Sequence, residues 1–241
     1  IKYCVIKNKK DFIKLNNIIK FSKNKKKPVA CLIENKTLQG KKEPILKRGG
    51  GLKLKRIIVI EQIIKNIQAK TNIIATTGFT SRELMQIRKK KDYKQSNDFY
   101  MVGGMGHSSA VSLGVSLNTK KQTICLDGDG SLLMHFGSMA TVGFFAKKNF
   151  KHILLNNNSH ESVGEQITNA QKINFKSICH GLGYKKYLII KNEKDLVKKL
   201  KLFFKCSGPA FLEIVIKTGS INNLMRPKNL LKIKKNFMNK I

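Results

Sequence analysis

From residue 57 onward the chain keeps one rhythm, in which short, continuously apolar runs alternate with segments of helical periodicity. The apolar runs are NIIATT (72–77), FYMV (99–102), TICLD (123–127), HILLN (152–156), YLII (187–190) and AFLEIVI (210–216). Helical patterns fall between them, at 57–69, 81–87, 107–117, 131–146, 175–181 and 193–205. A strand with no polar alternation must be buried on both faces, and the intervening helices are what can cover it. The fold class is therefore α/β, a parallel sheet with helices on both faces. Ligands of such sheets sit beyond the carboxyl ends of the strands. The glycine-rich and polar clusters of this chain follow strands, so they are expected to converge on one edge.

The preceding residues read differently. Residues 1–35 hold one helical pattern (11–21) and one apolar strand, PVACLIE (28–34). One helix and one strand cannot close a core, so this segment reads as the end of a domain whose beginning is missing. The chain opens on Ile1 rather than Met, which suggests a processed product or a fragment. Residues 36–56 combine Gly, Pro and a charge run without periodicity and read as a linker. Residues 221–241 read as a basic C-terminal tail.

The chemistry is concentrated in Gly128-Asp129-Gly130-Ser131, at the end of one strand, and Asn156-Asn157, at the end of the next. Two glycines in a strand-to-helix turn let the backbone approach a phosphate, which the helix dipole favours. An aspartate there would repel a bare phosphate. It becomes useful if a divalent cation lies between carboxylate and phosphate. A side-chain amide and a backbone carbonyl from the neighbouring strand end would complete an oxygen-only set suited to Mg²⁺. A second glycine-rich turn, Gly103-Gly104-Met105-Gly106-His107, follows FYMV. Its glycines permit close backbone approach, and Met105 is a flexible apolar knob between them.

Composition narrows the partners. The net charge of +34 would suit a nucleic-acid binder, but all except five of the 48 basic residues are lysine and tryptophan is absent. The lysines are scattered, with no aromatic residues interleaved as a stacking platform. Lys, Asn and Ile are abundant together, as an AT-rich coding sequence produces, so neither nucleic acid nor membrane is an expected partner. No apolar run approaches the ~20 residues of a membrane span, and a cytoplasmic protein is expected. The five cysteines are widely separated and read as reduced thiols. His160-Glu161 resembles the start of a zinc helix, but Gly164 stands where the second histidine belongs. Gly106-His107-Ser108-Ser109-Ala110 resembles a hydrolase nucleophile turn only loosely, because Ala110 replaces the final glycine.

GDG followed by NN, each preceded by an apolar strand (TICLDGDG, HILLNNN), resembles the diphosphate-binding signature of the thiamine-diphosphate-dependent decarboxylases. Further segments resemble phosphonopyruvate decarboxylases and the related sulfopyruvate decarboxylase subunits: ATTGFTSREL (75–84), DFYMVGGMGHSSAVSLGVSL (98–117), LNNNSHESVGEQ (155–166) and GSINNLMRP (219–227). The resemblance implies thiamine diphosphate and Mg²⁺ as cofactors. It makes Asp129 and Asn157 side-chain ligands of the metal, with the carbonyl of Ser159 as the third. Gly128, Gly130 and Ser131 would meet the diphosphate. Met105 would support the bent cofactor, and the carbonyl of Gly103 would accept from the aminopyrimidine.

His107, His160, Glu161 and Arg82 are candidates for contacting the substrate. Residues 57–220 become the diphosphate-binding domain, and 1–35 the end of a pyrimidine-binding domain. The implied reaction is non-oxidative decarboxylation of a small anionic 2-oxo acid, phosphonopyruvate (a step of phosphonate biosynthesis) or sulfopyruvate. The catalytic glutamate of such enzymes has no counterpart here. A homo-oligomer or a separate pyrimidine-binding subunit is implied, and an inactive cofactor-binding remnant or a basic binding module is the alternative. Asn158 and Glu165 both stand where the family commonly has glycine.

Overall fold

The computed structural model describes residues 1–38, 54–89 and 97–241. Most of the expected linker, residues 39–53, and most of the polar loop before FYMV, residues 90–96, lie outside the described residues. The chain divides into two compact units, residues 1–47 and 48–241.

The first unit is a small β-α-β element. Strand β1 (Lys2–Ile6) leads through a 3-10 turn into helix α1 (Phe12–Lys25), and strand β2 (Val29–Ile33) returns parallel to β1 with Cys4 opposite Cys31. The turn is held by a capping box. The Asn8 side chain accepts from the Lys10 amide at 2.9 Å, and the Asp11 carboxylate accepts from the backbone amide of Asn8 at 3.3 Å. Helix α1 ends at Lys26 in the left-handed region, φ 48°. Strand β1 has no counterpart in the sequence reading, because its apolar core Tyr3–Ile6 is short and lies between lysines.

In the second unit helix α2 (Arg56–Asn66) precedes strand β3 (Asn72–Ala75), helix α3 (Phe79–Arg88), strand β4 (Asn97–Tyr100) and helix α4 (Ser108–Leu117). Strand β5 (Thr123–Gly128), helices α5 (Asp129–Met134) and α6 (Ser138–Phe145), and strand β6 (Phe150–Asn156) follow. Helix α7 (Phe175–Gly181), strand β7 (Lys186–Ile190), helix α8 (Leu196–Lys205), strand β8 (Ala210–Val215) and helix α9 (Leu230–Met238) complete the unit. The six strands form one sheet in the order β4-β3-β5-β6-β8-β7, with every pairing parallel. From β3 the chain crosses to one side to form β4 and to the other to form β5. Such a reversal opens a crevice between the carboxyl ends of the two central strands, here β3 and β5.

Successive side chains of each strand face opposite helical layers, as the period of two requires. Ile124 and Leu126 join Ile60, Ile63, Leu84, Leu200 and Phe203 in one core beneath α2, α3 and α8. Cys125 points the other way, into a core with Leu113, Val142, Phe150, Phe175 and Phe211 beneath α4, α6 and α7. Both faces are covered, which is why the strands read as unbroken apolar runs.

Three segments depart from the sequence reading. The expected helix at 131–146 is two helices, because His135 (φ −131°, ψ 48°) leaves helical geometry to pack against His107 in a tilted ring contact with centroids 4.1 Å apart. Strand β4 begins and ends two residues before FYMV, so Met101 and Val102 belong to the turn that follows. Helix α9 lies within residues read as a basic tail. Its Phe237 is buried against Phe99, ring centroids 5.3 Å apart, and its backbone carbonyl accepts from the Asn97 side chain at 3.2 Å. That contact covers the edge strand of the sheet. No helix among the described residues is long and apolar enough to cross a membrane.

Candidate functional site

The loops after β3, β5 and β6, with Met105 from the turn after β4, line an open cleft at the predicted edge of the sheet. Ser131 clamps its floor. The Ser131 hydroxyl accepts from the Thr76 hydroxyl at 2.7 Å and from the backbone amide of Gly106 at 3.0 Å, so one side chain joins the turns after β3, β4 and β5. Gly78 has φ 97°, and a Cβ there would sit 2.9 Å from the Ser162 hydroxyl. Only glycine meets both demands.

Asp129 opens α5 at the cleft and is 2% exposed. Burial raises the pKa of its carboxyl, while hydrogen bonds from the Thr168 hydroxyl and the Asn157 backbone act in the opposite direction. A desolvated carboxylate at a cleft is a group whose charged form a bound cation would stabilise. Across the cleft, the Asn157 amide oxygen accepts from the Ser159 backbone amide at 3.1 Å, while its nitrogen donates to Glu161 at 2.9 Å. The Ser159 hydroxyl is buried without a hydrogen-bond partner among the described residues. These groups offer oxygen donors only, which fits a hard divalent cation. The loop that carries them turns through Asn158 (φ 52°) and Glu165 (φ 59°), both left-handed. The two positions where glycine is common are the ones whose backbone asks for it.

A buried charge cluster forms part of the cleft wall. The Arg56 guanidinium pairs with Glu161, stands 3.6 Å from Glu83, and donates to the Gly219 carbonyl at 3.4 Å. Glu161 also accepts from the Gly219 amide. Burial pushes the Glu83 carboxyl up to about 7, although Arg56 pulls it down.

Of the residues singled out from sequence, Met105, Gly128, Asp129, Gly130, Ser131, Asn157, Ser159, His160 and Glu161 line this one cleft. Gly103, at φ 70°, is on the exposed turn after β4 and does not line it. His107 is exposed and packs against His135 instead. Arg82 does not itself line the cleft; its guanidinium lies over the ring of Phe79, which does, 5.6 Å from the centroid. Glu161 is tied to Arg56, Asn157 and Gly219 rather than free to meet a substrate. Sequence reasoning missed Arg56, Thr76, Phe79 and Thr168. Arg56 fell in the expected linker. Its signal was its type, one of only five arginines in a lysine-rich chain, heading an apolar helix.

A second group of potential ligands, Cys125, Asp127 and His152, is sealed in the aromatic core, with Asp127 Oδ2 3.6 Å from His152 Nε2. It has no opening to the cleft among the residues that line it.

Residues 76–214 match the family described as "Thiamine pyrophosphate enzyme, C-terminal TPP binding domain". The phosphonopyruvate decarboxylase of Streptomyces viridochromogenes is 35% identical over 173 residues, which are 72% of this chain and 42% of that protein. The sulfopyruvate decarboxylase subunit beta of Methanothermobacter thermautotrophicus is 32% identical over 167 residues, 69% of this chain and 84% of that subunit. A thiamine diphosphate-dependent 4-hydroxybenzoylformate decarboxylase from Rhodococcus jostii RHA1 shares the fold, with a TM-score of 0.57 at 17% identity over 72% of this chain and 34% of that one. The chain thus spans less than half the length of the phosphonopyruvate decarboxylase it matches. A parallel sheet with this cleft at its carboxyl edge, matched across 76–214, makes the chain a member of the thiamine pyrophosphate enzymes, carrying their C-terminal cofactor-binding domain.

Proposed function

We propose that the chain contributes the diphosphate- and Mg²⁺-binding half of a site that decarboxylates a small anionic 2-oxo acid without oxidation. The observation that carries this reading is that Asp129, Asn157 and Ser159, drawn from two strand ends, line one cleft with Gly128, Gly130 and Ser131. In this reading the Asp129 carboxylate, the Asn157 amide oxygen and the Ser159 carbonyl hold Mg²⁺. The backbone of Gly128 and Gly130 and the Ser131 hydroxyl meet the diphosphate. Thiamine diphosphate, when bound, supplies the nucleophilic carbon and the electron sink for loss of CO₂.

The chain's own side chains do the rest. Met105, which lines the cleft, would support the bound cofactor, and the Gly103 carbonyl, on the exposed turn after β4, would accept from its aminopyrimidine. His160, resting on the turn that carries Asp129, closes the diphosphate end of the cleft against water. Burial lowers the Arg82 pKa, and the nearby charge of Arg226 lowers it further. Arg82, over Phe79 and under the field of Arg226, would meet the acid group of the substrate. The likeness to proteins named as beta subunits supports a separate pyrimidine-binding subunit as partner, which would supply the catalytic glutamate.

Phosphonopyruvate, yielding phosphonoacetaldehyde and CO₂, is the first reading, supported by relatives of that name at 35% and 34% identity. Sulfopyruvate is the second reading, supported by relatives of that name at 36% and 32%. The test is CO₂ release from each acid by the chain mixed with a pyrimidine-binding subunit, with Mg²⁺ and thiamine diphosphate. Release that depends on Asp129 and ceases with a chelator is expected. Turnover indifferent to Asp129→Ala would overturn the assignment of the metal site.

A further inference from the structure

The side chain of Asn157 has two ends, and only one suits a cation. An amide rotated by half a turn about its last bond would offer hydrogen atoms where oxygen is needed, at almost no steric cost. Something in the protein must choose. Asn157 Nδ2 donates to Glu161 Oε2 at 2.9 Å. A carboxylate accepts and does not donate, so the reversed amide would set its oxygen against the carboxylate and lose the hydrogen bond.

Glu161 is itself held in that role. Its Oε2 also faces the Arg56 guanidinium, and its Oε1 receives the backbone amide of Gly219. Each of these three partners is a donor. Arg56 and Glu161 are 5% and 6% exposed at their side chains, so the pair is shielded from solvent, and breaking it would leave an uncompensated buried charge. The cluster draws on four parts of the chain: the start of α2, helix α3 through Glu83, the loop after β6, and the segment after β8 through Gly219 and Ile221.

We infer that Glu161, clamped by Arg56 and the Gly219 amide, is a positioning residue that, together with the Ser159 amide donating to Asn157 Oδ1 at 3.1 Å, fixes which end of the Asn157 amide faces the cleft. The inference rests on the reading of Asn157 as a metal ligand. Glu161 would touch neither metal nor substrate, which also reassigns it from the substrate-contact role suggested by its sequence.

The experiment is calorimetric binding of thiamine diphosphate to the 241-residue chain across a Mg²⁺ titration. Glu161→Gln keeps the shape but offers a donor end to a pocket of donors. It should raise the Mg²⁺ concentration for half-maximal binding by about 10- to 100-fold, the usual effect of removing a group that orients a ligand. Asn157→Asp added to Glu161→Gln presents oxygen at either end, and its carboxylate can accept from the new amide. The double variant should recover to within a few fold of the parent. A purely structural role in tying Gly219 to the loop would leave the defect uncorrected by a change at Asn157.

Asp129→Ala distinguishes failure of the positioning role from failure of the metal site. If it raises the Mg²⁺ requirement while Glu161→Gln does not, or if the double variant fails to recover, the positioning role is wrong and the metal site stands. If Asp129→Ala itself leaves the requirement unchanged, the metal site is wrong and the positioning role falls with it.

Discussion

The imidazole of His160 lies on the backbone of Gly130, so close that a Cβ at Gly130 would be 2.4 Å from Nδ1 and 2.6 Å from Cε1. Gly130 is helical, so the absence of a side chain answers a steric demand and not a backbone one. Gly130→Ala should therefore push His160 off the turn and weaken Mg²⁺-dependent binding of thiamine diphosphate by about 5- to 150-fold, the equivalent of the ~1–3 kcal/mol of overpacking in a filled site. Removing the ring, in Gly130→Ala with His160→Ala, should return much of the affinity. Calorimetry on the three proteins decides it, and full affinity in the single variant would show that His160 is not seated there.

Positive φ angles make a second prediction, this time about stability. Glu165 (φ 59°) is exposed, so little besides its backbone conformation distinguishes it from glycine. Glu165→Gly should stabilise the protein by about 1 kcal/mol, the cost of the left-handed region for a residue with a Cβ. Asn158 (φ 52°) is buried with both side-chain polar atoms unpaired among the described residues, and Asn158→Gly relieves both conditions. Each variant should raise the unfolding temperature by roughly 2–4 °C. A fall in either would mean that the side chain makes a compensating contact.

The parts legible in the sequence were those set by periodicity and by short motifs at strand ends. TICLDGDG and HILLNNN announce two buried parallel strands and the turns after them, and the structure brings those turns to one cleft. What escaped depends on contacts distant in sequence. Arg56 looks like one more charge in a lysine-rich stretch until Glu83 and Glu161 fold against it. The break between α5 and α6 follows from His135 meeting His107 and Gly106, which no local propensity encodes. Helix α9 was hidden by its lysines, because one buried side chain, Phe237, does most of its docking among the described residues.

Glu83 gives the protein a pH dependence of definite sign. Its carboxyl is pushed up to about 7 in the folded state, first by burial, against an ordinary value of 4.5. The folded protein therefore binds this proton more tightly than the unfolded chain does. The resulting stability is fully present below about pH 4.5 and is lost as the pH rises through about 7. Relative to Glu83→Gln, the parent should lose up to about 3 kcal/mol of unfolding free energy between pH 5 and pH 8, at ~1.4 kcal/mol for each tenfold difference in proton affinity between the folded and unfolded chain. Urea unfolding of both proteins at the two pH values measures the difference. A parent that gains on the variant over that range would mean that Arg56, and not burial, governs the group.

Arg82 is where the proposed substrate specificity can be tested without touching the metal site. Its guanidinium lies over the Phe79 ring, which lines the cleft, and its pKa is lowered by burial and by Arg226 nearby. An anion near Arg82 would relieve the repulsion from Arg226, and the phosphonate or sulfonate of a 3-carbon 2-oxo acid would serve. Charge-assisted hydrogen bonds of this kind contribute roughly 1.5–3 kcal/mol. Arg82→Ala should therefore raise KM for phosphonopyruvate and sulfopyruvate by about 10- to 100-fold in the enzyme assembled with its pyrimidine-binding subunit. Pyruvate has the same keto acid without the second acid group. Its kcat/KM should change little in the variant, and the Mg²⁺ requirement for thiamine diphosphate should stay where it was. An equal loss with all three acids would place Arg82 in the structure of the cleft wall and leave the acid group of the substrate to another residue.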